Sequence, residues 1–120
     1  MGYVLGIDLG TSRTAAAVFR NGRADVVPLS DHAATMPSMV FVRDDASILV
    51  GEAARRRGND EPTRLAREFK RRFGDSTPLV LGNQSFSAEA LTALLLRHVV
   101  DFVSQREGGP PDKVVVAHPA

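Results

Sequence analysis

Residues Gly6-Ile7-Asp8-Leu9-Gly10-Thr11-Ser12-Arg13-Thr14 set one carboxylate and a glycine turn between two apolar segments, an arrangement suited to holding a metal-bound phosphate. Before the turn, Tyr3, Leu5, Ile7 and Leu9 alternate with Val4, Gly6 and Asp8 in the strand sense, so Asp8 falls at the C-terminal end of a strand. A carboxylate there is costly unless it is solvated, hydrogen-bonded or close to a cation. Gly10 allows the backbone to turn where a side chain would clash, and leaves the amides of Thr11 to Arg13 free to face an anion. Gly6, on the Asp8 face, leaves room for a bulky ligand.

A tight surface hairpin with a solvated aspartate is the competing reading of this stretch. The apolar set Leu5, Ile7 and Leu9 on one face, with glycines and Asp8 on the other, argues against it. There is no G-x-x-x-x-G-K-[ST] and no G-x-G-x-x-G, so neither the P-loop nor the dinucleotide fingerprint applies.

The elements that must position this turn read as strands first and helices later. Thr14 to Phe19 is small, β-branched and apolar, and Asn21-Gly22 is a two-residue hairpin signal with Ala24 to Pro28 returning. A polar loop, Leu29 to Thr35, leads to Met36-Pro37, which forces an extended approach to the next strand. Ser38 to Val42 and Ile48 to Val50 make a second hairpin around Asp44-Asp45. Gly51 to Arg57 predicts a short helix broken at Gly58-Asn59. Pro62 then opens a second helix with Leu65, Phe69 and Phe73 as its apolar stripe and Gly74 as its stop. Leu79 to Leu81 and Gln84 to Phe86 form a short β-pair. Ser87 caps the longest helix, whose buried face is Leu91, Leu94, Leu95, Val99, Phe102 and Val103. Lys113 to Ala117 reads as a buried, parallel strand.

Composition limits the function. A chain of 120 residues is one domain or a subdomain of something larger. A net charge of +1 gives no general pull toward nucleic acid or membrane. The basic cluster Arg55 to Arg72 is interrupted by Asp60, Glu61 and Glu68 and has few aromatics, which argues against nucleic acid. The absence of cysteine rules out disulfides and thiolate chemistry. No apolar run reaches the ~20 residues of a membrane helix and no signal peptide is visible, so the expected location is cytoplasmic. His32 has no second ligand at metal spacing, and His98 reads as a packing residue on the long helix.

The opening MGYVLGIDLGTSRTAAAV resembles the first strand-turn-strand of the seventy-kilodalton heat-shock (DnaK-type) chaperones. Further segments agree in order: Thr35-Met36-Pro37-Ser38, Leu49 to Ala54, Phe69-Lys70-Arg71-Arg72-Phe73-Gly74, Phe86-Ser87-Ala88-Glu89, and Val114 to Ala120. The resemblance covers essentially the whole chain. It implies an incomplete α/β lobe of the actin-like, ribonuclease-H-like ATPase fold, a mixed sheet with hairpins and flanking helices. Residues 1–35 and 112–120 supply the core sheet elements, and 36–111 a small outer subdomain with connecting helices.

It further implies ATP or ADP and Mg2+ as ligands, a stress-response ATPase in the full-length parent, and client peptides and co-chaperones as partners. Asp8 would hold the water shell of the magnesium. Gly10, Thr11, Ser12 and Arg13 would form the first phosphate loop, and Lys70 would reach the γ-phosphate and attacking water. Pro119 would couple nucleotide state to the peptide-binding domain. Read alone, Lys70 belongs instead to the solvated basic face of a helix with Arg64, Arg67, Arg71 and Arg72.

The sequence departs from the family in three places. Arg13 replaces an amide side chain, adding a charge that either clamps phosphate or obstructs its pose. The stretch between Gly74 and Ser87 is short, and His118 stands where an aliphatic residue is usual. The segments of the family's second lobe are missing, so the expectation is an N-terminal fragment with one wall of the site, weak ATP affinity, no hydrolysis of its own, and self-association through the edge at Val114 to Ala117. The alternatives are a non-catalytic nucleotide-binding or scaffolding relative, and a sugar-kinase or actin-like ATPase sharing only the opening motif.

Overall fold

The structure, a computed structural model, describes residues 2–31 and 33–117. The expectations for His32, His118 and Pro119 lie outside the described residues. The chain starts with three consecutive strands, β1 (Val4–Leu9), β2 (Arg13–Arg20) and β3 (Arg23–Val27), joined as antiparallel hairpins. The second hairpin turns at Asn21-Gly22 with both residues at positive φ (54° and 76°), the geometry whose twist matches that of the flanking strands. β4 (Met36–Pro37) pairs antiparallel with the start of β2.

A second sheet has β5 (Met39–Val42) at its centre, flanked by β6 (Ile48–Val50) and β7 (Leu65–Arg67). α1 (Glu52–Asp60) packs over β5. It continues through Gly58, where the sequence predicted a break. Gly58 is buried, and a Cβ there would meet Leu65 Cδ2 at 2.3 Å, so the glycine serves close packing. β8 (Leu79–Leu81) and β9 (Gln84–Phe86) form the expected small hairpin.

The helix expected from Pro62 to Phe73 does not form. Pro62–Arg64 is one 3-10 turn, β7 follows, and Phe69–Arg72 is a second 3-10 turn. The reason is competition. Leu65, Ala66 and Arg67 pair with Phe41, Val40 and Met39 on the free edge of β5, and Glu68 adopts a left-handed conformation (φ 53°) that no helix interior accepts. The apparent helical stripe is divided among three environments: Phe69 is buried, Leu65 partly buried and Phe73 exposed.

α2 (Ala88–Glu107) starts at the Ser87 cap, whose hydroxyl oxygen accepts the Ala90 amide at 3.0 Å, and ends on Gly108 in the left-handed region. Leu91, Leu95, Val99 and Val103 are fully buried in one core with Tyr3, Leu5, Ile7 and Leu9 of the first sheet and Val40 and Val42 of the second. Leu94 is only partly buried, and Phe102 and His98 are exposed, a narrower buried face than expected. The helix end is tied to the first sheet by Tyr3 Oη donating to the Gly109 carbonyl at 2.7 Å and by an Arg20–Glu107 ion pair at 2.7 Å. β10 (Lys113–Ala117) then joins β1 in parallel, completing the order β10-β1-β2-β3. All five of its residues are exposed, so the parallel pairing is as expected and the burial is not: β10 is an edge strand with neither face covered.

Candidate functional site

Gly10, Thr11 and Ser12 connect β1 to β2 in a tight turn. The Gly10 amide donates to the Arg13 carbonyl at 3.0 Å, leaving Thr11 and Ser12 at the tip. A Cβ on Gly10 would lie 2.3 Å from the Arg13 carbonyl oxygen, so only glycine fits this closure. The Thr11 and Ser12 amides have no acceptor among the described residues. Two unused donors at the end of a strand pair are what an anion can take up.

Ser38 fixes this turn from below. Its buried hydroxyl donates to the Gly10 carbonyl at 2.9 Å, and its amide donates to the Ser12 carbonyl at 2.9 Å. Thr14 Oγ1 lies 2.8 Å from Ser38 Oγ in the interior. Since the single Ser38 hydroxyl proton is used on Gly10, Thr14 is the donor of that pair. Both hydroxyls are thus satisfied, as buried polar groups must be.

Asp8 projects from the face opposite the buried Leu5, Ile7 and Leu9 and is exposed. Among the described residues its carboxylate makes no hydrogen bond or ion pair. It closes one end of an open concavity of about 460 Å³ whose other walls include Val4, Gly6, Ala17, Phe19 and Val115. These walls are apolar, so Asp8 is the charged group of the concavity. The room expected beside Gly6 is taken by the Phe19 ring: a Cβ on Gly6 would lie 2.7 Å from Phe19 Cε2.

Lys70 reaches the same corner from the second 3-10 turn. Its Nζ donates to the Leu9 carbonyl at 2.7 Å, one residue beyond Asp8. The solvated helical face expected from the arginine-rich sequence is therefore not its setting, because Phe69 buries beside it and the turn swings Lys70 onto the strand end. Arg13 points elsewhere. Its Nε donates to Thr35 Oγ1 at 2.6 Å, its Nη2 donates to the Thr35 carbonyl at 3.0 Å, and Nη2 lies 3.8 Å from Glu52 Oε2. Asp8, Gly10, Thr11, Ser12 and Lys70 thus share one corner, with the Arg13 guanidinium turned to its flank. Sequence reading missed Ser38, Thr14, Thr35 and Glu52 as the groups that hold the turn. Thr14 lay in the opening run, Thr35 and Ser38 in the Thr-Met-Pro-Ser segment and Glu52 in the Leu49 to Ala54 segment, each without a role in holding the turn.

The profile of the family described as Hsp70 protein matches residues 4–120. The chain belongs to the Hsp70 family. It is 37% identical over its whole length to the chaperone protein DnaK of Elusimicrobium minutum (strain Pei191), and 31% identical over its whole length to that of Cenarchaeum symbiosum (strain A). It is 30% identical over 98% of its length to the DnaK of Metamycoplasma hominis. The chain spans about one fifth of the length of these relatives, covering 20%, 19% and 20% of them.

The donor set of this Hsp70-family chain can be tested against a magnesium nucleotide. Among the described residues no group of three or more His, Cys, Asp or Glu side chains could hold a metal directly. A lone carboxylate beside free amides fits magnesium, which keeps several waters and takes its remaining oxygens from phosphate. A lysine cation and two hydroxyls, Thr11 and Ser12, complete a set suited to phosphate oxygens.

Proposed function

We propose that this chain supplies the first phosphate loop of an ATP-binding, ATP-hydrolysing chaperone of the Hsp70 class. The observation that carries the reading is the meeting of Lys70 with the Asp8–Ser12 corner across 61 residues of sequence. In this role the Thr11 and Ser12 amides and hydroxyls bind phosphate oxygens, Lys70 offsets charge on the terminal phosphate, and Asp8 orients waters. Bound magnesium supplies neutralisation of the phosphate charge that develops during transfer. Such transfer depends on positioned charge more than on covalent chemistry.

Residues 1–35 and 112–120 act in this reading as core sheet elements, with 36–111 as the outer subdomain, Pro119 as the coupling residue and the cytoplasm as location. Client peptides and co-chaperones are the corresponding partners of the whole protein. Among the described residues no helix is long and apolar enough to cross a membrane.

Titrating the purified protein with Mg·ATP while recording its amide NMR spectrum tests this directly. The Gly10, Thr11 and Ser12 amides shift in the wild type, and the shift weakens in Asp8→Asn and Lys70→Ala. Equal responses in all three proteins would remove the site assignment. A non-catalytic binding relative is favoured by one observation, the engagement of Arg13 away from the turn tip. It predicts the same amide shifts without phosphate release.

A further inference from the structure

Arg13 is the one charged side chain of the phosphate turn, and its guanidinium is spoken for. Nε and Nη2 form one edge of the guanidinium fork, and both donate to a single residue, Thr35, at 2.6 and 3.0 Å. That edge is one an arginine would use to grip phosphate in a bidentate fashion. The Thr35 carbonyl also accepts the Ser30 hydroxyl at 2.8 Å, and the Leu29 and Ser30 amides behind it donate to the Ala34 and Ala33 carbonyls. Arg13 therefore grips a built loop rather than a loose side chain. On its other side lies Glu52, the first residue of α1, whose Oε1 already accepts from Arg55 at 2.9 Å while Oε2 faces Arg13 at 3.8 Å.

We propose that Arg13 is a positioning residue and not a phosphate ligand: a strut that ties the phosphate turn to the Thr35 loop and, more weakly, to the start of α1. The inference rests on the nucleotide reading above for its functional consequence. A turn held before binding loses less conformational freedom on taking up its ligand, so the strut raises affinity without touching the nucleotide. An exposed ion pair at 3.8 Å contributes little, so the Thr35 bonds carry most of the effect.

The two roles of Arg13 differ in sign when its partners are removed. A phosphate ligand is released by Thr35→Ala or Glu52→Gln, and Mg·ATP then binds as well or better. A strut is weakened by Thr35→Ala, which removes the Nε acceptor and leaves the carbonyl bond, so binding weakens, while Glu52→Gln changes it little. We expect Arg13→Gln to weaken Mg·ATP binding about three- to tenfold and Thr35→Ala about two- to fivefold, with the double variant no weaker than the weaker single one. Arg13→Lys keeps the charge and loses the fork, so it fails to rescue; a charge acting on phosphate would be largely restored by it. Isothermal titration of the purified variants reads these outcomes.

A second measurement needs no nucleotide. The Arg13 Nε–H resonance is expected to exchange slowly in the wild type and to lose that protection in Thr35→Ala. Absence of Mg·ATP binding by the wild type would end the nucleotide reading while leaving the strut to this resonance. Fast exchange in the wild type, or tighter Mg·ATP binding by Thr35→Ala, would overturn the strut.

Discussion

Lys70 Nζ donates a 2.7 Å hydrogen bond to the backbone carbonyl of Leu9, the last residue of β1. The bond anchors the Phe69–Arg72 turn, with Phe69 buried at its root, to the strand that carries Asp8. Lys70 is half-buried, so its net contribution is well short of that of a fully enclosed charged donor. Lys70→Met preserves the stem packing and removes the donor. Its urea midpoint is expected to fall by an amount equivalent to about 1 kcal/mol with no change in slope. An unchanged midpoint would show that the bond does not hold the turn.

Ser38 predicts a larger effect from a smaller side chain. Ser38→Ala leaves the Thr14 hydroxyl, at 0% exposure, without its acceptor and the Gly10 carbonyl without its donor. An orphaned buried polar group costs about 1–3 kcal/mol, more than the hydrogen bond itself is worth. The Ser38→Ala, Thr14→Val double variant, which removes both hydroxyls, should recover part of that loss. Chemical denaturation of the two variants decides the point, and a double variant no more stable than Ser38→Ala would contradict it.

The strands and their turns were legible because each carried a local device: alternation in β1, Asn21-Gly22 in the second hairpin, the Ser87 cap of α2. The segment Leu65 to Phe73 was not, because its fate depends on the free edge of β5, which lies more than twenty residues earlier. An amphipathic stripe is visible in sequence, but a strand edge waiting to be paired is not. The same holds at the site. Asp8 and Gly10 announce themselves by type and spacing, whereas Ser38 and Thr35 act through contacts with the turn that no spacing rule encodes. Arg13 shows the limit most clearly, since its charge is evident in sequence and its direction is not.

Gly58 sets helix propensity against packing. In an exposed helix interior, glycine to alanine gains about 1 kcal/mol. Here an alanine Cβ would approach Leu65 Cδ2, Cγ and Cβ at 2.3, 2.8 and 2.9 Å, too many atoms for one rotamer change to clear. Overpacking of this kind costs about 1–3 kcal/mol, so the net sign is destabilising. Thermal unfolding should show a lower midpoint for Gly58→Ala, and a combined Gly58→Ala, Leu65→Ala variant should relieve the clash while losing the leucine's packing. A higher midpoint in Gly58→Ala alone would mean that β7 can move aside without cost.

β10 predicts concentration-dependent association of this 120-residue chain with a second copy of itself. The strand pairs only with β1, so its outer edge offers unpaired amides and carbonyls among the described residues. Val114, Val115 and Val116 stay 39%, 47% and 38% exposed, and the adjoining open sheet face adds Phe19 and Val26 at 45% and 64%. A flat edge of β-branched residues with one charge, Lys113, lacks the inward charges, bulges or prolines that normally prevent edge-to-edge pairing. Sedimentation velocity should therefore show a mean mass that rises above the monomer with concentration. Val115→Lys places a charge in the centre of the edge and should return the chain to monomer. Val80→Lys, at a more exposed valine (61%) on the separate β8–β9 hairpin, should leave the association as it was. A wild-type chain that stays monomeric at high concentration would refute the pairing, and equal loss of association in both variants would trace it to net charge rather than to β10.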